Sequence, residues 1–254
     1  MERDQARGPV TVHFVGAGPG AADLLTVRAV SLIASSPVCV YAGSYIGADV
    51  LAHCPPGATL IDSQRLDLDQ ITEHLVMAHR NGHDVARLCS GDPSIYSALA
   101  EQVRRLDRAE VPWDVTPGVP AYAAAAALVG RELTVPEATQ TVILTRTQAD
   151  STAMPEAESL TRLAESRATL VLHLAIRHVR RLAGELTSAY GPDCPVVVVS
   201  RASQPDELVL RGTLADIADQ VELAGLRQAA VILVGAALAA EGFVESHLYG
   251  VRTR

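Results

Sequence analysis

Short apolar runs alternate along this chain with longer stretches whose apolar positions recur every three or four residues. The runs at 10–15, 37–42, 57–62, 84–89 and 113–116 predict buried strands, and the stretches at 23–35, 67–81, 94–109 and 120–129 predict helices. In the second of these helices Ile71, Leu75 and His79 share one face. Polar groups and Pro136 interrupt the pattern between Gly130 and Ala138. It then restarts as strand 140–146, helix 156–166, strand 168–174, helix 176–189, strands 195–200 and 207–213, helix 214–222 and strand 229–235. The expected fold is α/β, with two α/β domains spanning 1–132 and 133–254.

Two strand ends run into glycine-rich turns. The first is Gly16-Ala17-Gly18-Pro19-Gly20; the second is Ser90-Gly91-Asp92-Pro93. Gly91 leaves room for close backbone approach, Asp92 suits a helix N-cap, and Pro93 suits a first helical position, where no amide donor is needed. The simpler reading of the second turn is a well-made helix start. Both turns fall at strand C-termini, where open α/β sheets bind ligands. Gly16-x-Gly18-x-x-Ala21 satisfies the relaxed dinucleotide fingerprint, but the second strand ends in Ala42-Gly43-Ser44, where a nicotinamide site needs an acidic residue. Ala121 and Ala123 to Ala127 give a helix with a thin side-chain layer, suited to close packing.

Composition narrows the function classes. A chain of 254 residues, 48% hydrophobic and 4% aromatic, buries one large core or two modest ones with aliphatic packing. The net charge is −8 and every Lys+Arg position is arginine, which offers no field for nucleic acid; an anionic ligand must be held by local arginines. Cys39, Cys54, Cys89 and Cys194 show no Cys-x-x-Cys spacing and read as buried thiols and not as a metal or disulfide framework. His79 and His83 flank the helix-ending Asn81-Gly82 and read as a solvent-facing helix end, while His173 and His178 lack a metal-ligand companion, so no metal is expected. No nucleophile elbow is present. The arginines of Arg177-His178-Val179-Arg180-Arg181 read as a solvated helix face. Met1 to Gly8 lacks the apolar core of a secretory signal, and the longest apolar run, Ala229 to Ala240, covers less than two thirds of a ~30 Å bilayer core at ~1.5 Å per residue. A cytoplasmic protein with no membrane partner is expected.

Taken together, Val15 to Gly20, Tyr41-Ala42-Gly43-Ser44, Ser90 to Pro93, Pro117-Gly118-Val119, Gln140 to Arg146 and Arg201-Ala202-x-x-Pro205-Asp206-Glu207 resemble the tetrapyrrole (corrin and porphyrin) methyltransferases over nearly the whole chain. The resemblance implies an S-adenosylmethionine (SAM) and tetrapyrrole crevice between two α/β domains, and a homodimer. It implies SAM contacts from Pro19 in the first loop; Ser90, Gly91, Asp92, Ile95 and Tyr96 in the second; Pro120 and Ala121 in a third; and Leu174, Ala202 and Ala230 in the second half. Pro120 replaces a hydroxyl residue of relatives and lacks an amide donor, and Leu174 stands where relatives often carry methionine.

Within that family, Tyr41 to Ser44 and the block from Gly130 to Arg146 look most like the branch whose members methylate precorrin-4 at C11 to give precorrin-5, and the resemblance implies that reaction. Ala42 replaces the aspartate of the uroporphyrinogen and precorrin-2 enzymes. Arg146 and Arg201, each at a strand end, are the candidates for holding substrate carboxylates, which planar guanidinium groups suit. No residue is identified as a general base or other catalytic group. Two other readings stay open: the same family acting on a cobalt-containing or different precorrin, and a noncatalytic tetrapyrrole-binding module. The latter is expected to lose Gly91 or Asp92, and this chain keeps both.

Overall fold

The computed structural model describes residues 10–147 and 153–243, so the Met1 to Gly8 stretch lies outside the described residues. The chain divides into two compact units, Met1–Ala121 and Tyr122–Arg254, ahead of the 132/133 boundary expected from the sequence. The segment after the alanine helix is fastened within the second unit. There Leu133 O accepts from Thr169 Oγ1 at 2.8 Å, and Arg131 Nη1 donates to Ala240 O at 3.3 Å.

In the first unit β1 (Val12–Gly16), β2 (Val38–Tyr41), β3 (Thr59–Asp62), β4 (Val85–Cys89) and β5 (Trp113–Thr116) form a parallel sheet in the order β3-β2-β4-β1-β5. Alternate residues face opposite layers, as the two-residue period of a strand requires. Val12, Phe14, Val85 and Cys89 join the core under α3 (Leu68–Arg80) and α4 (Leu99–Arg108). Val15, Ala86 and Leu88 join the core under α1 (Val27–Ser35) and α2 (Ala48–Leu51), a short helix that the periodicity did not reveal. The Thr26 hydroxyl caps α1 through Ala29 N, and an Asp67–Gln70 capping box opens α3. Central strands β1 and β4 thus send the chain to opposite faces, and the topological switch point lies between them.

Helix α4 begins at Leu99, not at 94. The Asp92 carboxylate is committed elsewhere, and Tyr96 and Ala98 adopt left-handed φ of 53° and 54° that no helix accommodates. The Asp-Pro-Ser stretch is therefore a loop and not a helix start.

The second unit opens with α5 (Ala121–Val129), whose Ala124 and Ala125 are buried. Strands β6 (Val142–Arg146), β7 (Thr169–His173), β8 (Pro195–Ser200), β9 (Leu208–Thr213) and β10 (Ala230–Val234) form a mixed sheet in the order β6-β7-β10-β8-β9. Among the described residues of this sheet the β6–β7 pair alone is hydrogen-bonded in parallel; β10 is antiparallel to both β7 and β8, and β9 to β8. Helices α6 (Leu160–Ala164), α7 (Val179–Tyr190) and α8 (Ile217–Leu223) cover a core that includes Leu170, Leu172, Val196, Val198 and Ile232. The expected helices at 156–166 and 176–189 each begin as a separate 3-10 turn, Glu156–Glu158 and Ile176–His178.

Candidate functional site

At the C-terminal edge of the first sheet, three loops pack main chain against main chain. Gly18 N donates to Gly91 O at 3.2 Å, Gly91 N to Gly18 O at 2.7 Å, and Ala17 N to Cys89 O at 2.8 Å. Both glycines sit at φ +69°, which disfavours any side chain. The loop after β5 closes over the pair. A Cβ on Gly118 would lie 2.3 Å from Gly91 O, and one on Gly16 would lie 2.3 Å from Gly118 N. The glycines are therefore demanded first by loop-on-loop contact.

Asp92 fastens this arrangement. Its Oδ1 accepts from Ser94 N at 2.8 Å and from the Ser94 hydroxyl, and its Oδ2 accepts from Gly118 N at 2.9 Å. Burial pushes the carboxyl pKa up, but the Ser94 and Gly118 hydrogen bonds outweigh it and hold the group below the usual aspartate range. An ionised carboxylate so engaged holds geometry. Around it Ser90 and Tyr96 are exposed, Ile95, Pro120 and Ala121 are half-buried, and Pro19 is buried.

The neighbouring loop after β2 is clamped by the end of β3. Tyr41 O accepts from Ser63 N at 2.7 Å and from Ser63 Oγ at 2.9 Å. Asp62 Oδ1 accepts from Gly43 N at 2.9 Å and Gln64 N at 3.0 Å, and a Cβ on Gly43 would fall 2.5 Å from Asp62 Oδ2. Backbone donation from Gln64 and then Gly43 lowers the Asp62 pKa. Sequence reasoning missed Asp62, Ser63 and the buried Arg87 of β4. For Arg87 the signal was visible: one cation inside the otherwise apolar Val85-Ala86-Arg87-Leu88-Cys89.

In the second unit, the antiparallel β10 brings its start beside the ends of β7 and β8. One sheet edge therefore gathers Arg146, Leu174, Arg201, Ala202 and Ala230. Leu174, an apolar side chain, is 64% exposed at φ 52°, and Arg201 and Ala229 are also left-handed, at 51° and 53°. Such backbone is held in place by its surroundings, here by Arg201 N donating to Ala229 O at 2.8 Å. Ala202 is buried and Ala230 half-buried. Arg201 Nε pairs with Asp206 Oδ1 at 2.7 Å, and Arg146 Nη1 donates to Thr147 O at 3.3 Å.

The remaining candidates are structural. Arg180 pairs with Glu222 and Asp219, Arg181 pairs with Glu185, and Arg177 Nε donates to Arg227 O, all on exposed surface. His79 is half-buried and bonded to Val10 O at 3.0 Å, which corrects its reading as a solvent-facing residue; His83 is exposed. Cys39, Cys89 and Cys194 are buried free thiols, and burial pushes Cys89 up to about 11; Cys54 is only half-buried, which corrects its reading as a buried thiol. Among the described residues no helix is long and apolar enough to cross a membrane.

Comparison with known proteins gives a consistent result. The model of the tetrapyrrole (corrin/porphyrin) methylases matches residues 11–218. A precorrin-4 C(11)-methyltransferase of Rhodococcus erythropolis is 59% identical over 240 residues, 94% of this chain and 96% of that one. The X-ray structure of a cobalt precorrin-4 methyltransferase, a cobalamin biosynthetic enzyme, superposes with a TM-score of 0.87 at 38% identity, covering 91% of this chain and 96% of that chain. A uroporphyrin-III C-methyltransferase from Thermus thermophilus, solved with S-adenosylhomocysteine (SAH), gives 0.76 at 27% identity, covering 90% and 93%.

Proposed function

The chain belongs to the tetrapyrrole methylase family, and from that premise we infer its reaction and the residues that serve it. It is a SAM-dependent C-methyltransferase of corrin synthesis that methylates precorrin-4 at C11, giving precorrin-5. The observation that carries this reading is the 59% identity, across 94% of the chain, to a relative named for that reaction. Identity to the cobalt precorrin-4 enzyme is 38%, which supports a metal-free substrate.

Bound SAM supplies a methyl group on a sulfonium, already activated for displacement by a nucleophilic carbon. The work left to the protein is alignment and exclusion of water. The first unit fits such a ligand, because the Gly18–Gly91 bridge packs the two loops tightly at the switch point and fixes the residues that follow each glycine. Pro19, Ser90, Gly91, Asp92, Ile95, Tyr96, Pro120 and Ala121 are the proposed contacts there, with Asp92 acting through the loop it fastens. In the second unit the proposed contacts are Leu174, Ala202 and Ala230; an exposed leucine on left-handed backbone suits an apolar ligand surface. Arg146 and Arg201 are proposed to orient substrate carboxylates.

A homodimer and a cytoplasmic location complete the proposal. Exposed Trp113 and Val115 on edge strand β5 support self-association, and four free thiols suit a reducing compartment. Sedimentation giving only monomer mass would remove the dimer, and recovery of the protein outside the cytosolic fraction would remove the location. Incubation with methyl-labelled SAM and precorrin-4, with and without cobalt, tests the reaction: label is expected at C11 of the metal-free product.

A further inference from the structure

Arg87 is 8% exposed, yet among the described residues every hydrogen-bond acceptor it meets is neutral. Its Nε donates to Gln102 Oε1 at 3.0 Å; its Nη1 donates to Ser63 Oγ at 3.2 Å and, at longer range, to Val40 O and Leu88 O. Burial pulls its pKa below the ordinary arginine value. A buried cation without a carboxylate is poor economy for stability, since well-packed apolar residues commonly serve as well or better. What the guanidinium does provide is connection.

Both ends of its bonds lead to ligand loops. On one side Ser63 Oγ donates to Tyr41 O, at the start of the Tyr41-Ala42-Gly43-Ser44 loop. On the other, Gln102, 1% exposed, donates Nε2 to Ser97 O at 3.3 Å and to Ala98 O at 3.1 Å, the closing residues of the loop that begins at Ser90. One buried polar chain therefore runs from Tyr41 through Ser63, Arg87 and Gln102 to Ala98. Its far end holds a left-handed residue, Ala98 at φ 54°, that needs outside support.

We propose that Arg87 is a positioning residue that couples the Tyr41–Ser44 loop to the Ser90–Ala98 loop, so that the conformation of the substrate-selecting loop sets the affinity of the SAM loop and the reverse. The coupling is reciprocal by linkage. It rests on the reading of these loops as SAM and tetrapyrrole loops.

Gln102→Glu separates positioning from mere support. The new carboxylate still accepts from Arg87, now as a charge-assisted pair, but cannot donate to Ser97 O and Ala98 O. The melting temperature is expected to hold or rise while calorimetric affinity for SAH falls about three- to tenfold. Ser63→Ala, at the opposite end of the chain, is expected to weaken SAH in the same direction and to lower the fraction of methyl delivered to C11. In an Arg87→Met background the two effects should become additive; if that variant does not fold, the two end variants decide the matter alone. Unchanged SAH affinity in either folded end variant overturns the coupling. Failure of the unmodified protein to bind SAH would instead overturn the reading of the loop.

Discussion

Asp92 Oδ2 accepts the amide proton of Gly118 at 2.9 Å across 26 residues of sequence, locking the loop after β4 to the loop after β5. Charge-assisted hydrogen bonds of this kind contribute about 1.5–3 kcal/mol. Asp92→Asn should therefore weaken SAH binding by about tenfold or more, measured by calorimetry on the folded variant. The same carboxylate predicts a pH dependence. Its folded pKa lies below the ordinary aspartate value, so its contribution is complete above that value and is lost as pH falls through the folded one. SAH affinity should hold across the neutral range and decline only in that acid window, a decline that Asp92→Asn should flatten.

Gly118→Ala brings a Cβ to 2.3 Å from Gly91 O, and Gly16→Ala brings one to 2.3 Å from Gly118 N. Main chain cannot yield as a side-chain end can. Each variant should lose about 1–3 kcal/mol of stability by denaturant titration, together with SAH affinity. Gly47→Ala, whose Cβ meets nothing within 4 Å, is the control expected to bind normally.

Asp62→Asn leaves the Gly43 and Gln64 amides with a weaker acceptor. The loop from Tyr41 to Ser44 should loosen, and through the Ser63–Arg87–Gln102 chain SAH affinity should fall with it, though less than in Asp92→Asn because the Asp92–Gly118 bond is kept. The expected result is a raised Michaelis constant for precorrin-4 with a kcat change of less than about tenfold, read by steady-state kinetics.

Arg146→Gln and Arg201→Gln should each raise the precorrin Michaelis constant or misdirect methylation, with SAH affinity nearly unchanged. A desolvated charge-assisted contact is worth roughly 2–3 kcal/mol and an exposed pair under about 1. Because Arg201 already pairs with Asp206 on the surface, Asp206→Asn should produce a smaller shift than Arg201→Gln.

Short continuous apolar runs and period-3.6 patterning made nearly every strand and long helix legible, because the sheets bury runs such as Val196 to Val199, bounded by Pro195 and Ser200. What sequence could not show was which local preference would prevail. Asp92-Pro93-Ser94 has the residues of a helix start, but the Asp92 carboxylate finds Gly118, a partner distant in sequence, and α4 waits until Leu99. The glycines at 16, 18, 91 and 118 were visible; that all four pack together follows from the order of β4, β1 and β5, which no single segment encodes. In the second unit the gathering of Leu174, Ala202 and Ala230 depends on β10 running antiparallel, a choice invisible in its own apolar sequence.

The reaction proposed for this chain is methyl transfer from SAM to C11 of metal-free precorrin-4. Single-turnover incubation of the protein with carbon-13 methyl-labelled SAM and precorrin-4, followed by NMR of the product, tests it directly. One new labelled methyl is expected, at C11, with stoichiometric SAH and no requirement for cobalt. Label at any other ring carbon, or transfer only when cobalt is present in the macrocycle, would contradict it.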